Sequence, residues 1–88
     1  MEIHHSAHNH GIDDDAIMHA LAHAITVVDL EPDADPPKGL AIGPDQAGNL
    51  LEVIWLELAG DMQLVIHAMA LRPTFHDLLP PAGEDTND

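Results

Sequence analysis

The stretch Asn49–Ala59 (NLLEVIWLELA) constrains the fold more than any other part of this chain. Read as a strand, it puts Leu51, Val53 and Trp55 on one face. Its other face carries Leu50, Ile54, Leu56 and Leu58 around a single acid, Glu52. A strand that is apolar on both faces needs cover on both, which suggests the centre of a sheet; helix is the competing reading of such a run. Ala59-Gly60-Asp61-Met62 then fits a two-residue hairpin with glycine first, the type II′ signal. Met62–Leu71 returns as a second strand, with Leu64, Ile66 and Ala68 on one face and Val65, His67 and Met69 on the other.

Upstream, the periodicity changes. Asp13 is a good N-cap, Asp14 and Asp15 fall in the first turn where the helix dipole favours carboxylates, and Ile12 and Ile17 are spaced as a hydrophobic staple. Ile17, Ala20, Leu21, Ala24 and Ile25 form an apolar stripe, so a helix is predicted over Asp14–Ala24. The β-branched Ile25–Leu30 reads as a short strand and Glu31–Pro37 (EPDADPP) as an exposed loop. Gly39–Gly43 is a further strand candidate and Pro44–Gly48 a turn. Pro73 opens a short helix, Thr74–Leu79, which Pro80-Pro81 stops. This order predicts an α+β fold: a small antiparallel meander with one main N-terminal helix and a short C-terminal helix packed on it. Eighty-eight residues leave room for one core, so residues 1–79 are expected to be a single domain and 80–88 a disordered acidic tail.

Charge narrows the partners. Lys38 and Arg72 are the only lysine and arginine against sixteen acids, a net charge of −14. A phosphate backbone or an anionic membrane would be repelled by almost any surface of such a chain, whereas a basic protein would be attracted. The absence of cysteine favours a cytosolic setting. No apolar run reaches bilayer length, and the first ten residues lack the pattern of a secretory signal. A cytoplasmic location is therefore expected.

Eight histidines are the remaining chemical resource. His19 and His23 lie four apart on the predicted helix, opposite its apolar stripe, with Asp15 on the same side. Such a pair can share a metal ion, although a solvated face is the plainer reading. His4, His5, His8 and His10 form a dense N-terminal cluster that also suits a transition metal or is ordinary surface. No metal or other cofactor is assigned to either group. His67, Arg72 and His76 lie on the last strand and the turn after it. His67 is read either as a half-buried structural histidine or as a general acid–base group beside a phosphate-clamping Arg72, although a lone arginine among sixteen acids more often makes an ion pair.

Several short motifs together resemble a known family. They are His10-Gly11-Ile12 leading into the acid-capped helix with His19-Ala20-Leu21, then Ile42-Gly43-Pro44-Asp45, Gly48–Val53 (GNLLEV) and Val65–Arg72 (VIHAMALR). In this order they resemble the BrnT-like toxins of type II toxin–antitoxin pairs, within the wider RelE-like ribonuclease superfamily. The resemblance covers roughly residues 6–79. It implies a RelE-like sheet, a cognate antitoxin or other basic protein as partner, and endoribonuclease activity. Carried over residue by residue, His10 and Gly11 match the family's H-G and Arg72 the arginine after the last strand. The candidate catalytic residues are then His10 and His67 for proton transfer and Arg72 for phosphate stabilisation. The basic residues expected before His10 and after Arg72 are replaced by His8-Asn9 and by Pro73–His76, which points to a degenerate ribonuclease that binds RNA only weakly. A homodimer is compatible with this reading. The alternatives are an acidic, non-enzymatic interaction module and a histidine-dependent metal-binding protein.

Overall fold

The computed structural model describes residues 1–80. One α-helix, α1 (Asp14–Ala22), accompanies five strands: β1 (Glu2–Ile3), β2 (Thr26–Glu31), β3 (Lys38–Pro44), β4 (Leu50–Leu58) and β5 (Met62–Ala70). The strands form one mixed sheet in the order β1-β5-β4-β3-β2. The α+β class and the β2–β5 antiparallel meander agree with the sequence reading. The sheet is not purely antiparallel, however, because Glu2 and Ile3 pair in parallel with Leu64 and Val65. The N–H of His4 donates to the Val65 carbonyl and the Ser6 hydroxyl to the Ile66 carbonyl, so the polar N-terminal segment covers an edge that β5 would otherwise expose.

β4 is the central strand, and the competing helix is ruled out. Leu51, Val53 and Trp55 are buried together with Ala41, Val65 and Ala68 beneath Ile17 and Ala20 of α1. The opposite face buries Leu40, Ile42 and Glu52. The helix lies closely over β3. A side chain at Gly43 would run into the Ala20 carbonyl, so the bare glycine sets that approach.

The Asp13 carboxylate accepts the Ala16 N–H at 2.9 Å and caps α1 as expected. The helix ends at Ala22 rather than Ala24. The β-branched run beginning at Ile25 draws the chain into the sheet, where the Ile25 N–H donates to Ile42. Ala24 still packs on the core, but Ile25 is 47% exposed and does not belong to the buried stripe.

The β4–β5 turn corrects a second expectation. Leu58 pairs with Met62, so three residues close the hairpin instead of two, and Gly60 (φ 74°, ψ 26°) and Asp61 (φ 60°) are both left-handed, as in a type I′ turn and not a type II′ one. Aspartate tolerates that region better than most residues, and the type I′ twist matches that of the strands. The expected C-terminal helix is a run of 3-10 turns, Pro73–Leu78, whose preceding residue, Arg72, supplies no side-chain cap. The Thr26 hydroxyl ties this segment to β2 by donating to the Leu78 carbonyl. Of the tail expected over residues 80–88, residues 81–88 lie outside the described part. Among the described residues no helix is long and apolar enough to cross a membrane.

Candidate functional site around Glu52

One irregularity in β5 builds the site. Trp55 pairs with Val65 but Ile54 pairs with His67, so Ile66 is an extra residue in a β-bulge. Simple alternation would put Val65 and His67 on one face. The bulge separates them: Val65 stays in the core beneath α1, and His67 turns to the side of Glu52.

Glu52 is fully buried and would be costly there without partners. Its Oε2 lies 2.8 Å from His67 Nε2 and accepts from Arg72 Nε and Nη2 at 3.0 and 2.6 Å. Its Oε1 accepts the Arg72 backbone N–H at 2.9 Å. Burial pushes the Glu52 carboxyl up, but the hydrogen bonds from the Arg72 side chain and backbone and from His67 outweigh it and hold the group below the ordinary glutamate value. The same hydrogen bonding to Glu52 raises Arg72 above its usual value. The guanidinium also sits over the Phe75 ring, 5.6 Å from its centroid. His10 presents its ring edge-on to His67, with centroids 5.4 Å apart.

His67 and Arg72 therefore share one buried carboxylate, and His10 lies against the His67 ring without a hydrogen bond to that carboxylate. Sequence reasoning placed Glu52 among apolar neighbours but gave it no role. The available signal was its lone acidity in a strand apolar on both faces, since a buried acid demands a cation. Chemically, an ionised Glu52 can only accept, so His67 Nε2 donates to it and that bond fixes the orientation of the ring. Of its two readings, an ion pair with one of the many acids or a phosphate clamp, Arg72 makes the ion pair. Its side chain is 46% exposed, yet its charge is directed onto Glu52. Lys38 is likewise paired, its Nζ 3.0 Å from Glu31.

The other histidines are dispersed. His19 does not face solvent freely: it is half-buried and its Nδ1 donates to the Pro44 carbonyl at 2.8 Å. Its ring stacks 4.3 Å from that of His23. His8 pairs with Asp14, and the His4 and His5 rings lie 4.0 Å apart. His76 is exposed on the 3-10 segment. Among the described residues no group of three or more His, Cys, Asp or Glu side chains is arranged to hold a metal ion.

Comparison with known proteins gives no match to a family model, to a curated protein or to a solved structure.

Proposed function

We propose that this domain is an acidic protein-interaction module whose partner is basic, of the kind an antitoxin would be in a type II toxin–antitoxin pair. The carrying observation is that both cations of the chain are committed to carboxylates, Arg72 to Glu52 and Lys38 to Glu31. Exposed acids stand at the start of α1 (Asp13–Asp15) and in the β2–β3 loop (Asp33, Asp35). Such a surface attracts lysine and arginine and repels phosphate. The BrnT-like, RelE-like assignment is part of this proposal. Its support is the passage from an acid-capped helix into an antiparallel meander that ends at Ala70, two residues before Arg72.

A ribonuclease reading draws on a separate observation, the meeting of His10 with a carboxylate-oriented His67. Cleavage by 2′-hydroxyl attack needs a base, an acid and positive charge at the phosphate. The histidines fit the first two roles, and the third is missing unless a partner or ribosome supplies it. Inducible expression in bacteria separates the readings. The module predicts unimpaired growth, intact mRNA and a stoichiometric basic partner cross-linked to the tagged chain. Growth arrest with mRNA loss, relieved by His67→Ala, would establish the enzyme instead.

A further inference from the structure

β2 is the outer strand of the sheet and pairs only with β3; no described residue pairs with its other side. The opposite rim is different, because β1, His4 and Ser6 close the edge of β5. An open rim offers unpaired N–H and C=O groups to another extended chain.

The side chains along β2 define what that chain must be. Val27 is opposite Ala41 and Asp29 opposite Gly39, so both lie on the face that carries α1. α1 packs over β3 and β4, leaving Val27 63% exposed beside it. Asp29 is exposed and makes no salt bridge among the described residues, while Glu31 is occupied by Lys38 beyond a second bulge. Asp33 and Asp35 follow in the exposed loop.

A second copy is a poor occupant. It would bring one net charge of −14 against another, and a two-fold pairing centred on Val28 would set Val27 against Asp29 of the other copy. The charge that blunts the edge toward its own kind makes it complementary to a basic strand.

We propose that the free edge of β2 binds a basic, extended peptide segment by strand addition. The residue beside Val27 is apolar and the one beside Asp29, two positions away on the same face, is lysine or arginine. Backbone hydrogen bonds hold the segment, and the alternating pair sets its register. This rests on the interaction-module reading and names its binding surface.

The probe is the blocked peptide KTVTKTVT, titrated into the full chain while amide hydrogen exchange is followed. Alternate amides of β2 should gain protection, and neither a glutamate-for-lysine peptide nor one N-methylated at alternate residues should bind. Asp29→Lys should weaken binding about tenfold or more without lowering the melting temperature. If the lysine peptide binds equally well to Asp29→Lys or after N-methylation, the edge is overturned while a diffuse acidic interaction stands. If neither the peptide nor polylysine binds at low salt, both this inference and the interaction module fall.

Discussion

At the residue scale, the fate of Glu52 decides how Arg72 is understood. Glu52→Gln keeps the shape but removes the charge that Arg72 answers. Arg72 is half in solvent, so water takes over, and the loss should be about 1–3 kcal/mol by chemical denaturation. Arg72→Ala should destabilise more, because it strands a carboxylate that is wholly buried. Their pH behaviour follows from the depressed Glu52 value. A carboxylate whose folded-state pKa lies below its unfolded value contributes stability that is complete above about 4.5 and lost as pH falls through the lower folded value. Wild type should therefore lose its advantage over Glu52→Gln on the acid side. A constant difference between the two from pH 7 to pH 2 would contradict the pairing. The sequence singles out His67 but not its partner, since the register that joins it to Glu52 depends on one unpaired residue, Ile66.

At the element scale, sequence patterns located the helix and the four long strands to within a residue or two. Asp13 capped the helix for the stated reason, and the apolar double face of β4 marked it as central. The failures share one physical cause: they depend on tertiary pairing. The two-residue β1 is too short to carry a periodic signal and exists through its partner β5. The bulge at Ile66 shifts alternation without any glycine or proline to announce it. The turn departs from expectation in the ψ of Gly60, in the left-handed φ of Asp61 and in its length, because Leu58 pairs with Met62 and leaves three residues between the strands. The helix–sheet contact can be tested directly. Ile17→Ala should cost about 2–5 kcal/mol because the side chain is fully buried. Gly43→Ala should cost about 1–3 kcal/mol by forcing α1 away from β3. His19→Ala should lose only its bond to Pro44, about 0.5–1.5 kcal/mol. Equal losses for Ile17→Ala and His19→Ala in urea melts would show that α1 packs by a different face.

At the scale of the whole molecule, charge dominates. A net −14 on 88 residues makes the folded state repel itself, and the screening length falls from ~30 Å at 0.01 M salt to ~3 Å at 1 M. The melting temperature should rise with sodium chloride, and a flat profile would mean that the acids do not burden the fold. This imbalance was legible from composition alone. What composition could not reveal is which acid the one arginine pairs with, Glu52, and the proposed interaction-module reading leans on that contact. Fluorescence anisotropy of a labelled single-stranded RNA, titrated with the wild-type chain across a salt series, tests this most directly. Each phosphate neutralised on a single strand contributes a slope of about −0.7 in log K against log salt. No binding, and hence no slope, is expected even at low salt. Tight binding whose salt slope reports one or more neutralised phosphates would contradict that expectation.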